Sequence, residues 1–358
     1  MVERVADDGF VARPSMRAWR LHRVQAMAPG DEAVVLEDVA MPRPTAHEVL
    51  IRVRVCGVCH TELDEIEGRL PLPRLPVVPG HQVVGEVVEE GPECAFRLAG
   101  KRVGVAWIHS ACGRCSACEA GRENLCPDFR GCGMDADGGY AEAMVVPEAF
   151  AHEIPDALDD RSAAPLLCAG AVGYRALALC DFDGDEPLGL TGFGASGHLV
   201  LQMARALRPR APVFVFARNP RERTLALRLG AAWAGDTADE PPAAPGAIID
   251  TTPAWKPVLA ALAALRPGGR LVINAIAKES GDLAEWLSLD YRRHLWREKQ
   301  LRTVTNVTRA DVRACLSLAA EQGIRPDVHC WSFDQANEAL AAVRFGGRPG
   351  ANVLVVEA

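Results

Sequence analysis

The chain has 358 residues, which is too long for one compact hydrophobic core and predicts two domains. Apolar residues make up 49% of the sequence and charged residues 24%, as in ordinary globular proteins, and no apolar run approaches the roughly 20 residues of a membrane span. The net charge of −8 gives no electrostatic reason to expect a nucleic acid or an anionic membrane as a partner.

The N-terminal segment, residues 1–15, lacks the apolar region of a secretory signal, and we expect it to be a disordered extension. The sequence contains 12 cysteines. Without a signal, this content indicates reduced thiols and metal ligands in the cytoplasm rather than disulfide bonds.

The segment that follows, to about residue 146, is rich in short alternating runs that are typical of strands. These runs are residues 16–21, 49–55, 83–88, 102–105 and 140–146, and glycine and proline separate them. The pattern predicts a β-barrel or a β-sandwich.

Four cysteines lie close together within this segment, at the spacing Cys-x2-Cys-x2-Cys-x7-Cys: Cys112, Cys115, Cys118 and Cys126. Four thiolates hold zinc in structural sites, and cysteines at the Cys-x2-Cys spacing present their sulfurs from one turn. Cysteines so close in sequence rarely form disulfides with each other, which makes disulfide pairing or simple burial the weaker interpretation. We therefore predict a closed structural zinc site.

Three further metal-ligand types stand apart from this loop. Cys59 follows a strand-like run, His81 lies in a proline- and glycine-flanked turn, and Cys168 lies where the β-rich segment ends. A Cys2His set leaves a fourth coordination position open, as in catalytic zinc sites. Spacing alone does not select these three residues, and a lone cysteine is more often a small buried hydrophobic residue.

From about residue 164 the pattern changes to apolar strands that alternate with helices. The predicted strands are residues 188–191, 213–216, 247–250 and 270–274, and the helices between them are 197–207, 221–229 and 256–265. Continuous apolar strands joined by helices indicate a parallel sheet that is covered on both faces. A last helix, 309–322, and a last strand, 352–356, are expected to return to the first domain.

The motif GxGxxG occupies residues 192–197, between the first of these strands and its helix. Gly192 permits a tight turn, Gly194 lets the backbone approach a pyrophosphate, and Gly197 permits close packing of helix against strand. Together with Ala195 and Ser196, the loop presents free N–H groups to phosphates. The alternative is a glycine-rich turn without a ligand, and the strand–loop–helix context argues against it.

The next strand ends at Arg218 and Asn219, without the carboxylate that usually bonds the ribose 2′-hydroxyl of NAD. Arg221 and Arg223 follow closely, and arginine pairs well with a 2′-phosphate. We therefore expect NADP(H), with NAD(H) as the alternative. The same arginines would also fit an ordinary solvated helix start.

Several segments together resemble the zinc-dependent alcohol dehydrogenases of the medium-chain dehydrogenase/reductase superfamily. They are, in order, GVCHTEL (57–63), PGHQVVGEVV (79–88), the four-cysteine loop, DGGYAE (137–142), PLLCAG (165–170) and GFGASG (192–197). The resemblance implies an α/β protein with a GroES-like barrel domain, residues 16–168 and 307–358, and a Rossmann domain with a doubly wound parallel sheet, residues 169–306. It also implies reversible oxidation of an alcohol to an aldehyde or ketone, two zinc ions per chain, and a homodimer or homotetramer.

The resemblance assigns the metal ligands residue by residue. Cys59, His81 and Cys168 are similar to the ligands of the catalytic zinc, and the four-cysteine loop matches the structural zinc ligands. Thr61 matches the hydroxyl that bonds the substrate oxygen and passes its proton outward. Glu62 matches a carboxylate that orients the zinc-binding imidazole.

The same resemblance assigns residues to the cofactor and the pocket. His60 matches a residue near the cofactor pyrophosphate, and Trp107 matches a pocket wall to which we also assign Leu70. A tryptophan in this position would equally suit plain core packing.

Three residues depart from the family pattern. Gln82 replaces a glutamate after the zinc-binding histidine, and Asp64 replaces the histidine that commonly ends the proton relay, so we expect Asp64 or water to complete it. Asn352 replaces an arginine that often reaches the cofactor phosphates, a role that Arg348 or Arg309 would have to take.

Three other functions remain open at the level of the sequence. A zinc-free quinone or enone reductase of the same superfamily lacks the Cys59, His81 and Cys168 set. A polyol or aryl-alcohol dehydrogenase shares the zinc chemistry, and Leu70, Trp107 and Ile276 favour an apolar pocket over a polyol one. A non-catalytic zinc-binding module for nucleic acid disagrees with the acidic balance and the glycine-rich loop.

Overall fold

The computed structural model describes residues 10–11, 13–181, 184–346 and 350–356. The chain divides into two compact units. Unit 1 comprises the described residues of Met1–Cys168, Val307–Ala320 and Asp327–Ala358, and unit 2 comprises those of Ala169–Asn306 and Glu321–Pro326. The boundaries at residues 168 and 306 coincide with the predicted ones, whereas residues 321–326, predicted for the first domain, belong to unit 2.

Strands dominate the first part of the chain, and strands alternate with helices in the remainder. The strands are β1 (Ser15–Arg20), β2 (Val35–Ala40), β3 (Glu48–Val58), β4 (Val83–Glu90), β5 (Arg102–Val105), β6 (Ile108–Ser110), β7 (Arg130–Gly131), β8 (Ala143–Pro147), β9 (Ala151–Glu153), β10 (Leu188–Thr191), β11 (Val213–Phe216), β12 (Trp233–Gly235), β13 (Ala247–Asp250), β14 (Arg270–Ile273), β15 (Gln300–Thr303), β16 (Val328–Ser332) and β17 (Ala351–Val355). The helices are α1 (His60–Ile66), α2 (Ser116–Glu119), α3 (Asp160–Pro165), α4 (Ala171–Cys180), α5 (Gly197–Leu207), α6 (Pro220–Arg228), α7 (Lys256–Ala264), α8 (Arg309–Gln322) and α9 (Ala336–Phe345).

Unit 1 is built on a mixed sheet with the strand order β16-β17-β3-β4-β5-β9, in which β8 also pairs with β3. Strand β3 is the longest, and its valines and isoleucine alternate into the core because successive side chains of a strand face opposite sides. The β3–β4 register shifts at Leu50/Ile51 and again at Val53/Val55. Such bulges bend and twist a strand, which curves this sheet.

Unit 2 is a parallel sheet with the strand order β12-β11-β10-β13-β14-β15. Strands β10, β11 and β13 are buried at every residue, as expected where helices cover both faces. The order reverses between β10 and β13, and open parallel sheets bind dinucleotides at the carboxyl ends of the strands at such a switch point. The predicted doubly wound sheet is therefore confirmed.

The N-terminal segment differs from the expectation of disorder through residue 15. The Phe10 side chain is 6% exposed, and its ring lies 5.2 Å from the Arg13 guanidinium and 5.7 Å from that of Arg52. Arg43 also donates a hydrogen bond to the Val11 carbonyl at 2.9 Å. Unit 1 therefore holds the chain from Phe10 onward, while residues 1–9 and 12 lie outside the described residues.

The residues Asp160–Cys180 form one helical stretch through α3, a π-helical turn at Leu166–Gly170, and α4. By length and composition alone, these 21 residues could cross a membrane, a property that the sequence pattern had not indicated. Of the 18 most apolar consecutive residues of this stretch, 67% are buried within the protein, as in the core helix of a globular domain.

Candidate metal and cofactor sites

Cys59 forms the N-cap of helix α1. Its backbone is extended, and its Sγ accepts a hydrogen bond from the Thr61 amide at 3.4 Å. The Glu62 carboxylate in turn accepts from the Cys59 amide at 2.9 Å, which completes a reciprocal capping box. The cap therefore fixes the direction of the Cys59 sulfur through local backbone geometry.

Three predicted ligands from distant parts of the sequence meet at this cap. Cys59 Sγ lies 3.5 Å from His81 Nε2, which lies 3.3 Å from Cys168 Sγ. All three ligand atoms fall within 4.8 Å of one another. A tetrahedral zinc with Zn–S of about 2.3 Å and Zn–N of about 2.0 Å separates sulfur from nitrogen by about 3.5 Å, so the spacing fits this metal.

Glu62 fixes the orientation of the His81 ring. Its Oε1 lies 2.6 Å from His81 Nδ1, and the two side chains are 0% and 1% exposed. The alignment of these atoms is poor for a hydrogen bond, so the contact is best described as a close charge contact. With Nδ1 facing a carboxylate, Nε2 is the nitrogen that faces the two sulfurs, as in carboxylate–histidine–zinc arrangements.

The protonation of the trio is coupled to its burial. A hydrogen bond with Cys168, burial, and the charge of Glu62 raise the pKa of Cys59 well above its ordinary value. Burial lowers the pKa of His81, but the charges of Glu62 and Cys59 outweigh burial and raise it. A divalent cation is the partner that lets such buried thiols ionise, so the donor chemistry also fits zinc.

Cys168 projects from the π-helical turn Leu166–Gly170. Pro165 lies at the end of α3, where its missing N–H removes a helical hydrogen bond. A π-turn inserts an extra residue into the helical repeat, and such turns are frequent at functional sites.

The four-cysteine loop is compact. The sulfurs of Cys112, Cys115, Cys118 and Cys126 all lie within 4.8 Å of one another, and the Cys112 and Cys118 sulfurs are 4.0 Å apart, close to the tetrahedral edge of about 3.8 Å expected for Zn–S bonds. Hydrogen bonding, led by the Arg114 amide, lowers the pKa of Cys112 to about 7. Burial and hydrogen bonding to Cys115 raise the pKa of Cys118 to about 12. The donor set is four thiols with no open position, which fits a structural zinc.

Thr61 and Asp64 lie three positions apart on α1 and therefore share a helix face. Both are buried, at 9% and 7% exposure, while His60 is exposed. Asp64 Oδ1 accepts from Arg69 Nε at 2.5 Å. Burial raises the pKa of Asp64, although the hydrogen bond and charge of Arg69 oppose that rise.

A group of buried polar atoms lies around the trio, and sequence reasoning missed one of its residues, Glu65. Both carboxylate oxygens of Glu65, Gln82 Nε2, Trp107 Nε1 and the Tyr140 hydroxyl have no hydrogen-bond partner among the described residues. Burial raises the pKa of Glu65 and of Tyr140. Only the knowledge that α1 is buried on every side would have identified Glu65, because an acidic residue on a short helix normally faces solvent.

Of the two predicted pocket residues, Trp107 contacts the predicted metal ligand His81, and Leu70 lies next to α1. The Trp107 ring makes edge-on contacts with His81 at 6.4 Å and with Phe129 at 5.6 Å, and it is only partly buried. Leu70 is also partly buried, and its amide donates to the Asp64 carbonyl at 2.9 Å. Phe129 was not predicted.

The glycine-rich loop of unit 2 connects β10 to α5. Gly192 has a φ of +79°, which only glycine adopts easily, and a Cβ on Gly197 would lie 2.7 Å from the Gly192 carbonyl oxygen. A Cβ on Gly194 would meet nothing within 4 Å, so the backbone there is open to a ligand. Ser196 is the N-cap of α5 but does not cap it with its side chain, and its Oγ accepts from Asn274 instead. These features fit a dinucleotide phosphate.

The arginines after β11 differ in their surroundings. Arg223 Nη1 donates to the Ala217 carbonyl at 2.7 Å and to that of Arg218 at 3.2 Å. Arg223 therefore satisfies the carbonyl groups that follow the end of β11. The exposed Arg218 side chain makes no hydrogen bond or ion pair within the described part of the chain, and Asn219 caps α6 through the Arg221 amide at 3.0 Å.

A carboxylate that the sequence pattern had not indicated also lies nearby. Glu222, in the first turn of α6, lies near the glycine-rich loop, where the Phe193 amide favours the charged form of its carboxylate. Burial raises the pKa of Glu222, while the Phe193 amide and the charge of Arg218 oppose the rise.

Asn352, which stands where the family has a phosphate-binding arginine, and Arg309, one of its two possible substitutes, both have other contacts. Asn352 Oδ1 accepts from Trp331 Nε1 at 2.9 Å, and Arg309 Nε donates to Glu123 at 3.0 Å. Arg348 lies outside the described residues. The Arg309 guanidinium is thus engaged within unit 1, and its use in place of a phosphate-binding arginine stays a prediction.

Comparison with known proteins places these sites in context. Residues 45–156 match the family model of the alcohol dehydrogenase GroES-like domain. The chain is 44% identical over 347 residues to a Mycobacterium tuberculosis (strain CDC 1551 / Oshkosh) protein named probable alcohol dehydrogenase AdhA, and the match covers 96% of this chain and 98% of that protein.

Three solved structures share the whole architecture. A cinnamyl alcohol dehydrogenase, SbCAD4, from Sorghum bicolor superposes with a TM-score of 0.82 at 28% identity, covering 95% of this chain and 97% of that one. A zinc-binding dehydrogenase from Sinorhizobium meliloti 1021 bound to NADP gives 0.83 at 26%, covering 96% and 100%. A cobalt- and zinc-bound thermostable alcohol dehydrogenase from Pyrobaculum aerophilum gives 0.82 at 25%, again covering 96% and 100%.

Proposed function

The chain belongs to the zinc-dependent alcohol dehydrogenases of the medium-chain dehydrogenase/reductase superfamily, and we propose that Cys59, His81 and Cys168 form its catalytic metal site. The enzyme transfers hydride reversibly between an alcohol and a nicotinamide cofactor. The observation that carries the site assignment is the convergence of two sulfurs and one imidazole nitrogen at 3.5 Å and 3.3 Å on a capped helix.

The protein residues hold and orient the reacting groups. A zinc ion held by the trio supplies Lewis-acid chemistry that lowers the pKa of an alcohol. Cys59 and Cys168 contribute negative charge to the site, and His81 a neutral imidazole whose ring Glu62 orients at 2.6 Å. The carboxylate makes the imidazole a stronger ligand, because it favours the positive charge that develops on the ring.

We assign the outward proton transfer to Thr61 and Asp64. Their spacing puts both side chains on one face of α1, and a buried carboxylate with a raised pKa is a better proton acceptor than an exposed one. Arg69 keeps this carboxylate oriented through its Nε. His60, at the start of the same helix, is assigned to the cofactor pyrophosphate as the family pattern implies.

We assign the cofactor phosphates to Gly192, Gly194, Ala195, Ser196 and Gly197. An open backbone at Gly194 and the N-terminus of the 11-residue helix α5 support this assignment. NADP(H) is favoured because Arg218 is exposed and unpaired within the described residues, with Asn219 beside it. NAD(H) stays the alternative, because the Glu222 carboxylate beside the loop is the kind of group that bonds a ribose 2′-hydroxyl.

We propose two zinc ions per chain, with the second held by Cys112, Cys115, Cys118 and Cys126. Four thiolates leave no open position, so this ion acts in folding rather than in the reaction. Metal analysis of the purified protein checks the number, and one zinc per chain would contradict the proposal.

The test of the catalytic site is a pair of cysteine variants. Cys59→Ala and Cys168→Ala should each lower turnover by at least ~10³-fold, because metal-assisted catalysis is lost, while fluorescence titration should still detect NADP(H) binding. Cys330→Ala is the matched control, since Cys330 is exposed on β16 and belongs to neither metal set. Normal turnover in either of the first two variants would refute the assignment.

A second candidate, an aryl-alcohol dehydrogenase, is favoured by one observation. Trp107 and Phe129 form an edge-on aromatic pair next to His81, and Leu70 adds apolar surface. Aromatic rings pack well against such a pair. A screen of short aliphatic, aromatic and polyol alcohols with NAD⁺ and NADP⁺ in parallel distinguishes these substrate classes.

We further propose that the enzyme acts in the cytoplasm as a homodimer or homotetramer. All 12 cysteines are free thiols, which suits a reducing compartment. Strand β15 is exposed at all four residues and pairs within the described chain only with β14. Leu287 and Trp296, in the segment between β14 and β15, are 91% and 54% exposed and add apolar surface to unit 2. We assign a second copy of the chain to the β15 edge.

A further inference from the structure

One acidic residue of the four-cysteine loop is buried while another is exposed. Glu123 is 5% exposed and begins the short 3-10 turn Glu123–Leu125, whose C-cap residue is Cys126. The Cys126 amide donates to the Glu123 carbonyl at 3.1 Å. Glu119, in the same loop, is exposed, and its side chain has no partner in the described part of the chain. Glu123 is therefore not simply a solvated surface carboxylate, and its contacts within the protein need an explanation.

The partner of Glu123 is the first residue of α8. Glu123 Oε1 accepts from both the Arg309 amide and Arg309 Nε, each at 3.0 Å. The Arg309 guanidinium also lies 5.0 Å from the Phe150 ring centre. The first amides of a helix have no partner within the helix, so the loop supplies a cap to α8 from 186 residues away.

The charge state of this contact is well defined. Burial alone would raise the pKa of Glu123, but hydrogen bonds from its own amide and from Arg309 outweigh burial and lower it. Glu123 is therefore an anion at neutral pH, held by a cation and by the positive end of a helix of 14 residues.

The same helix reaches the segment that carries Cys168. Cys315 on α8 is fully buried, and its Sγ lies 3.8 Å from the Leu166 carbonyl, within the π-helical turn of Cys168. The other buried residues of α8 are Val312, Leu316 and Ala319. Helix α8 thus contacts the ligand-bearing segment of each metal set, both within unit 1.

We propose that Glu123 is a positioning residue through which the four-cysteine loop holds α8 and, through α8, the turn of Cys168. The two metal sites are therefore coupled, and loosening the loop speeds metal loss from the trio. This inference rests on the proposed function, because it takes the trio as a metal site.

The test measures metal release at each site separately. The zinc-loaded full chain is diluted into a chelator, pulses of N-ethylmaleimide trap the thiols that are set free, and peptide mass spectrometry follows each cysteine. In Glu123→Gln we expect Cys59 and Cys168 to be labelled ~3–10-fold faster than in the wild type. This is less than the ~10–100-fold typical of residues that contact metal ligands directly, because Glu123 acts through α8. Amide exchange of residues 309–312 should accelerate in the same variant.

Two controls separate coupling from general destabilisation. Glu119→Gln should label like the wild type, and Cys180, which is buried in unit 2, should label at the wild-type rate in every variant. Arg309→Lys keeps the charge but loses the Nε donor, so it should have a smaller effect of the same kind and serves if Glu123→Gln folds poorly.

The outcomes are distinct. Faster labelling of the four-cysteine loop alone, or of every cysteine including Cys180, would overturn the coupling. If the wild-type Cys59 and Cys168 are labelled at once, without protection by zinc, the proposed function fails instead.

Discussion

At the scale of single residues, four of the five buried acidic side chains in the described part of unit 1 behave differently according to their partners. Glu62 contacts an imidazole, Asp64 and Glu123 each accept from an arginine, and Glu65 has no hydrogen-bond partner among the described residues. A partnered carboxylate stabilises the fold as an anion, whereas an unpartnered one resists ionisation. Glu65 is therefore the acidic residue whose charge the fold tolerates least.

We predict that Glu65→Gln stabilises the protein, and more so at high pH. Burial, then the charge of Glu62, raises the pKa of Glu65, so the folded protein retains a proton that the unfolded chain releases above about 4.3. Stability is therefore lost as the pH rises above that value, and the amide does not share this loss. We expect ~1–3 kcal/mol at pH 8 and little at pH 5, read as melting temperatures with zinc content checked.

Glu119→Gln, at an exposed position, is the control and should melt like the wild type at both pH values. A Glu65→Gln variant that melts below the wild type at pH 8 would contradict the account of Glu65.

We predict that Asp64→Asn slows turnover mainly at low pH. The amide cannot accept the proton from Thr61, so kcat should fall ~10- to 100-fold near pH 6 and recover toward pH 9, where hydroxide accepts it. The pH profile of kcat is the measurement. Glu67→Gln is the matched control, because Glu67 also contacts Arg69 but lies at the end of α1, away from Thr61. Equal profiles for Asp64→Asn and the wild type would remove Asp64 from the relay.

At the scale of elements, the bounds of helices and strands were predicted accurately where the sequence has a clear apolar pattern. Strands β10, β11 and β13 begin and end at the predicted residues, because each is a continuous apolar run between turn residues. Helix α8 also has its predicted bounds. Where burial and hydrophobicity agree, periodicity is sufficient to locate an element.

Helix α1 was missed because burial and hydrophobicity disagree there. Its sequence, HTELDEI, contains Glu62, Asp64 and Glu65, yet every residue after His60 is buried. No periodic pattern marks such a helix, since Glu62 and Asp64 face His81 and Arg69 rather than solvent, and Glu65 is buried without a hydrogen-bond partner among the described residues. The spacing of residues in the sequence likewise did not predict that Cys59, His81 and Cys168 converge. Only the family resemblance selected them.

Two of the arginines that follow β11 lead to opposite predictions. Arg218→Asp should lower kcat/KM for NADP⁺ by ~10²-fold and spare NAD⁺, because it replaces a phosphate partner by a repelling charge. Arg223→Gln should lower the melting temperature and leave the cofactor preference unchanged, since Arg223 donates to the carbonyls of Ala217 and Arg218. Steady-state kinetics with both cofactors test the pair. Equal effects of the two variants on preference would disprove this division of roles.

At the scale of the whole molecule, the two sites belong to different units. The trio and the four-cysteine loop lie in unit 1, and the glycine-rich loop lies in unit 2. Removal of the metals with a chelator is therefore expected to leave a folded dinucleotide-binding unit, which is why cofactor binding is a fair control for the cysteine variants.

The exposed edge of unit 2 gives a prediction about assembly. Leu301 is 42% exposed on β15. Its replacement by lysine should place a charge in the proposed interface and oppose pairing of the two edge strands. Leu301→Lys should shift the mass measured by light scattering from that of the oligomer to that of one chain. Leu227→Lys, at an exposed leucine of α6, is the control, and an oligomer that persists in Leu301→Lys would place the interface elsewhere.

The cap of α1 has a consequence for the evolution of this protein. Cys59 caps α1 and is also a proposed metal ligand, and the helix requires only that its side chain accept a hydrogen bond from the Thr61 amide. Serine and aspartate accept such bonds better than a thiol does, and one nucleotide change converts a cysteine codon into a serine codon. A lineage could therefore abandon its metal at this position in one step and keep a well-formed helix. Loss of zinc chemistry is thus a short path for a duplicated copy of this gene, and the fold does not oppose it.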